Sequence, residues 1–244
     1  MVVSIIIASV LAVVFMGARL SKLTKTSKGD VVVTFFKTLA SLGFVSIAIA
    51  AFYTQPVHRS AIFVLLGLVV CLIGDIFMYQ KFVYSKQLEE ETYLIGGMTS
   101  FGIGHIMYFI GVLLYFGSAG LSWANIGICI AVAAVCAFGT VFGGGKLFNA
   151  NFDKMIIPTI IYLFIVLFTT CIGITLWVTV KASAPKIPLF SMGLILFLLS
   201  DLALGMGLFI KRKNDTFILL VNNIFYYIAQ ILIATFVFYM TISA

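Results

Sequence analysis

Residues 71–80 read Cys-Leu-Ile-Gly-Asp-Ile-Phe-Met-Tyr-Gln and close a long apolar run, Ala61–Met78. Asp75 stands inside that run. A carboxylate facing lipid near a helix centre costs about 2.5–3.5 kcal/mol on insertion scales. Asp75 is therefore expected to face protein and to have partners. Asp201, in Leu-Leu-Ser-Asp-Leu-Ala-Leu-Gly (198–205), is the second such residue. Of eight acidic residues only these two lie well inside apolar spans.

The composition around them is that of a membrane protein. The chain has 244 residues, 63% hydrophobic and 9% charged, with mean hydropathy +1.21. Soluble domains carry about 25% charged residues. The polar stretches are too short for a large soluble domain. The net charge of +7 comes from basic residues clustered in short loops, which marks membrane topology rather than nucleic-acid binding. Cys71, Cys129, Cys136 and Cys171 all fall in apolar spans without CxxC or Cys/His zinc spacing. They read as reduced packing residues. The start, Met-Val-Val-Ser-Ile, lacks the basic region of a signal peptide, so the first span reads as a retained helix.

A crossing needs about 20 residues. Eight spans are predicted: Val2–Leu20, Val31–Phe52, Ala61–Tyr79, Tyr93–Phe116, Leu121–Phe142, Met155–Val180, Pro188–Ile210 and Thr216–Met240. The fold class is thus all-α, a polytopic bundle of eight transmembrane helices forming one domain over 1–244. Eleven of the fifteen Lys and Arg residues fall in the loops after the first, third, fifth and seventh spans. The positive-inside rule puts those loops in the cytoplasm and both termini outside.

Depth then sorts the polar residues. Asp75 precedes Lys81 by six residues and Asp201 precedes Lys211 by ten. At about 1.5 Å per residue, both lie in the cytoplasmic half. Lys37 enters the second span from the same side, and Asn222 and Asn223 are placed similarly. His105, Tyr108, Tyr227 and Gln230 sit nearer the midplane. Polar groups of five helices converge on one band. Gly74-Asp75 and Ser200-Asp201 are also 126 residues and four spans apart, compatible with two parallel four-helix halves.

Each residue has a plainer reading. The aspartates can be structural, paired with Lys37 or held by Asn and Ser. Lys37 either snorkels to the interface or holds one aspartate ionised. His105 is either a packing histidine or a binding group; Gly97, Gly104 and Gly111, spaced by seven, predict a close-packed helix face around it. Asn223, Tyr227 and Gln230 share a face at i, i+4, i+7, which interhelical hydrogen bonding alone can explain. With two histidines, one in a loop, no metal site is expected, nor any cofactor. Gly143-Gly144-Gly145 reads as a loop and lacks P-loop spacing.

Five stretches carry a resemblance: Phe-Phe-Lys-Thr-Leu (35–39), Gly-Asp-Ile-Phe (74–77), Gly-His-Ile-Met-Tyr (104–108), Ser-Asp-Leu-Ala-Leu (200–204) and Tyr-Tyr-Ile-Ala-Gln-Ile-Leu-Ile-Ala (226–234). With them the chain resembles the YhhN-like family of membrane proteins, the lysoplasmalogenases. Thr38 stands where many family members carry proline after the lysine. The resemblance implies hydrolysis of the sn-1 vinyl ether of a lysoplasmalogen to a fatty aldehyde and glycerophospho-choline or -ethanolamine. Asp75 and Asp201 would be catalytic, one neutral and one ionised as in glycosidases, with Asp75 the anion beside Lys37. His105, Tyr108, Asn223, Tyr227 and Gln230 would bind water or the glycerol hydroxyl, and Lys81 or Arg212 the phosphate. The partners expected are a lysophospholipid and the bilayer, with the site in the cytoplasmic half of a bacterial plasma membrane or an endoplasmic reticulum.

Two other classes compete. An intramembrane aspartyl protease also uses two membrane aspartates, but its Gly-x-Gly-Asp is absent, since 72–75 read Leu-Ile-Gly-Asp. A proton-coupled transporter or channel fits the buried acids and the repeat, although Pro158 is the one proline well inside a span.

Overall fold

The computed structural model describes residues 1–21, 27–84, 90–117, 121–180, 183–210 and 216–240, with side chains at 27–30, 81–84, 90 and 216 excepted. The helices are α1 (Val2–Leu20), α2 (Ser27–Thr54), α3 (Ala61–Tyr84), α4 (Glu90–Phe116), α5 (Trp123–Phe138), α6 (Gly145–Phe148), α7 (Ile156–Val180), α8 (Ile187–Phe209) and α9 (Thr216–Phe236). Among the described residues, eight spans are long and apolar enough to cross a membrane, α5 and α6 together supplying the fifth.

Local chemistry explains the ends. Ser122 caps α5 by accepting the Asn125 N–H at 3.1 Å. Pro188 sits in the first turn of α8, where its missing N–H leaves no carbonyl unpaired. Pro158 is likewise the third residue of α7, so it begins that helix rather than kinking it. Asn149 ends α6 at φ 52°, a left-handed conformation that asparagine tolerates better than most residues. The triple glycine 143–145 is not a loop. Residues Gly139–Gly144 form a π turn that runs straight into α6. Inside a bilayer a helix cannot release its backbone groups, so the chain keeps them paired despite the glycines. Thr38 donates its hydroxyl to the Thr34 carbonyl at 3.0 Å inside an unbroken α2.

The helices pack with an internal correspondence. α1 lies on α2 as α5 lies on α7, and α2 on α3 as α7 on α8. α3 lies on α4 as α8 on α9, while α4 meets α7 as α9 meets α2. The halves α1–α4 and α5–α9 thus repeat one arrangement. Glycines set the same close approach in both. A Cβ on Gly67 would lie 2.5 Å from the Tyr108 ring and 2.8 Å from the Gly104 carbonyl oxygen. A Cβ on Gly193, 126 residues on, would lie 2.6 Å from Ile233 and 3.0 Å from the Ala229 carbonyl oxygen. Ile233 and Ala229 each follow their counterparts by 125 residues. The expected glycine face of α4 is present too. A Cβ on Gly97, Gly104 or Gly111 would meet Met78, Cys71 or Val64 within 2.8 Å. Small residues let backbones approach where burial from water supplies no drive.

Candidate active site

Asp75 of α3 is buried, 2% exposed, and Lys37 of α2 is 4% exposed. The Lys37 Nζ lies 3.0 Å from Asp75 Oδ1. Asp75 Oδ2 accepts from Ser41 Oγ at 2.5 Å and from the Tyr226 hydroxyl at 2.7 Å. Ser41 follows Lys37 by one helical turn, so α2 presents both to the same carboxylate. The ammonium sits among four rings, with centroids 4.3 Å away for Tyr226, 4.5 Å for Tyr227, 5.2 Å for Phe15 and 5.5 Å for Tyr79. Lys37 therefore does not snorkel. Cation–π attraction and the carboxylate both compensate its lost hydration.

Further hydrogen bonds hold the surrounding side chains. Gln230 Nε2 donates to the Tyr226 hydroxyl at 3.3 Å, and Gln230 Oε1 accepts from the Tyr108 hydroxyl at 2.9 Å. The Tyr227 hydroxyl donates to the Lys37 carbonyl at 3.4 Å. Asn223 donates to the Leu219 carbonyl of its own helix at 2.7 Å. His105 Nδ1 lies 2.7 Å from Thr169 Oγ. Thr169 is within 3.0 Å of the carbonyls of Ile165 and Val166, which take its one hydrogen, so His105 Nδ1–H is the donor. The His105 ring packs 4.4 Å from Phe197, and its buried Nε2 has no hydrogen-bond partner among the described residues.

Asp201 has different surroundings. Its Oδ2 accepts from the Tyr162 hydroxyl of α7 at 2.6 Å. Among the described residues no cation pairs with it. It lies on the wall of a cavity of about 290 Å³, lined mostly by apolar groups that include Met98, Phe101, Leu163 and Phe209. Thr140, Thr159 and Tyr162 are the other polar side chains on that wall. Tyr162 follows Lys37 by 125 residues. In the repeat, a phenol hydroxyl thus meets Asp201 where an ammonium meets Asp75.

The two aspartates do not share a hydrogen-bond partner among the described residues. Phe101 stands between their surroundings. Its ring packs on Gly74, beside Asp75, and 5.9 Å from the Tyr226 ring, while it also lines the Asp201 cavity. None of Lys37, His105, Tyr108, Asn223, Tyr227 and Gln230 lines that cavity. Lys37, Tyr108, Tyr227 and Gln230 belong to the Asp75 network instead. Residue spacing sets depth along the membrane normal, but depth does not set azimuth around the bundle. Lys81 and Arg212, the expected phosphate contacts, lie outside the residues whose side chains are described.

Spacing missed Ser41, Tyr226, Tyr162 and Thr159. Asn222, Tyr226 and Gln230 form an i, i+4, i+8 stripe as regular as the one through Asn223, and this stripe reaches Asp75 and Ser200. Asn222 donates to the Ser200 carbonyl at 2.9 Å. Tyr162 was accessible only through the repeat.

No curated protein and no solved structure matches the chain. A model of the YhhN family matches residues 32–237. That match runs through the lysine, both aspartates and the Tyr226–Gln230 stretch, and the chain belongs to the YhhN family.

Proposed function

We propose that the protein is a lysoplasmalogenase in which Asp201 is the proton donor. The family carries a general link to this hydrolase activity. The observation that supports the specific role is the contrast between the two carboxyls. Asp75 has a cation at 3.0 Å, whereas Asp201 has a hydroxyl donor and an apolar cavity. An unpaired charge in such surroundings costs several kcal/mol, so Asp201 rests as the neutral acid and Asp75 as the anion.

Vinyl ether cleavage needs that acid. Asp201 gives its proton to the β-carbon as the double-bond electrons form the new C–H bond. The α-carbon becomes an oxocarbenium ion, and the Asp201 carboxylate, held by Tyr162, lies beside the positive charge. Water adds to the α-carbon and returns one proton to Asp201. The hemiacetal then breaks its bond to the glycerol oxygen, which takes the hydroxyl proton. A fatty aldehyde and a glycerophospho-alcohol leave. The apolar wall takes the alkenyl hydrocarbon next to the ether. Asp75 and Lys37 hold Tyr226, which packs behind Phe101, and so fix one wall of the cavity. Positioned acid–base groups contribute about 10²–10⁴-fold.

The test is incubation of purified protein with a lysoplasmalogen and its saturated-ether analogue. Aldehyde release from the vinyl ether alone is expected. Cleavage of both, or of neither, rejects the proposal.

A further inference from the structure

Thr159 is a polar side chain with nothing to bind. It is 5% exposed, its Oγ has no hydrogen-bond partner among the described residues, and it lines the Asp201 cavity. Its neighbours on α7 behave otherwise. Thr170 and Thr179 donate to their own helix at 2.8 and 2.9 Å, and Thr169 does so at 3.0 Å while accepting from His105. A buried hydroxyl left unpaired costs about 1–3 kcal/mol. Tyr162, one turn on, gives its hydrogen to Asp201 and makes no bond with Thr159.

We infer that Thr159 recognises the free sn-2 hydroxyl of the lysolipid glycerol, and so selects lysolipids over lipids acylated at sn-2. This rests on the reading of the cavity as the vinyl ether site. Thr159 precedes Tyr162 by three residues, about 4.5 Å along the axis. It lies toward the end of the bundle where Ala150, Phe152 and Phe209–Ile210 complete the cavity wall. With the vinyl ether at Asp201, two glycerol carbons separate the ether oxygen from the sn-2 hydroxyl. The hydroxyl then stays within the cavity whose wall carries both Asp201 and Thr159. An acyl group at sn-2 would remove the donor and add bulk against α7.

The experiment compares wild type, Thr159→Val and Thr159→Ser on a lysoplasmenylethanolamine and on its analogue with hydrogen at sn-2. Valine keeps the shape and removes an unpaired hydroxyl, so its unfolding temperature should not fall; Thr159→Ala is the second variant if it does. Wild type should favour the hydroxyl substrate about tenfold in kcat/KM. Valine should bring that ratio near one, and serine should keep it. A ratio near one in wild type, or an undiminished ratio in the valine variant, overturns the assignment. If wild type releases no aldehyde from the lysoplasmalogen, the hydrolase reading fails separately, and binding decides on Thr159. The rise in unfolding temperature caused by a saturated-ether lysolipid should then exceed that of its sn-2 deoxy analogue in wild type and equal it in the valine variant. Equal rises in wild type overturn the assignment.

Discussion

Replacing Lys37 by methionine tests the ion pair that anchors three helices. The methionine preserves most of the stem volume and removes the charge. Asp75 would keep its bonds from Ser41 and Tyr226 but lose the ammonium at 3.0 Å. Removing one partner of a buried pair costs about 3–5 kcal/mol, because the other charge stays behind. The four ring contacts of the ammonium are lost as well. Restoring neutrality with Lys37→Met/Asp75→Asn should recover much of that loss, since an uncharged pair carries no stranded ion. The assay is equilibrium unfolding in detergent micelles across wild type, both single variants and the double. The expected coupling is at least about 1 kcal/mol, beyond the range of independent sites. Strictly additive losses, or a Lys37→Met protein as stable as wild type, would refute the claim that α2 and α3 are held through this pair.

Three more outcomes are expected. Asp201→Asn should lower aldehyde release by about 10²–10⁴-fold while the unfolding temperature stays within a few degrees of wild type, as measured by product assay and thermal scan; retained activity excludes Asp201 as the acid. Tyr226→Phe removes a donor to a buried carboxylate and should cost about 1.5–3 kcal/mol in the same unfolding assay; no loss would mean that the hydroxyl does not hold Asp75. Gly104→Ala places a methyl 2.6 Å from Cys71 Sγ and 3.0 Å from the Gly67 carbonyl oxygen. It should cost about 1–3 kcal/mol by overpacking, with partial rescue by Cys71→Ala; a neutral Gly104→Ala would show that α3 and α4 can move apart freely.

Much of this architecture is legible in the residues because hydropathy reports where a segment meets lipid. Val2–Leu20 is a helix over the range read from the sequence, and the predicted ends at Phe116 and Val180 hold. The second helix instead starts at Ser27, since a helix continues past its hydrocarbon-spanning part when polar residues at the interface can still carry it. The glycine run 143–145 misled because its composition signals a turn in water, while the membrane demands continued hydrogen bonding. The site was legible in depth and not in direction. Lys37 and Asp75 lie close in depth, and they meet. Asp75 and Asp201 also share a depth band, yet Phe101 separates their surroundings. Asn223 and Tyr226 differ by less than one turn, and only the second reaches the carboxylate. Rotation about each helix axis depends on close contacts such as those of Gly67 and Gly193, which no local pattern specifies.

The doubled packing of the two halves has an evolutionary consequence. A four-helix ancestor that assembled as a symmetric pair would have carried the same acid in both subunits. On such a history, each fused copy would be free to diverge. In the amino-terminal copy a lysine neutralises the acid and turns it into a girder. In the carboxy-terminal copy a phenol stands at that position, so the acid there faces a hydroxyl donor instead of a cation. Installing a lysine at position 162 would recreate the girder and, on the proposed mechanism, should abolish aldehyde release.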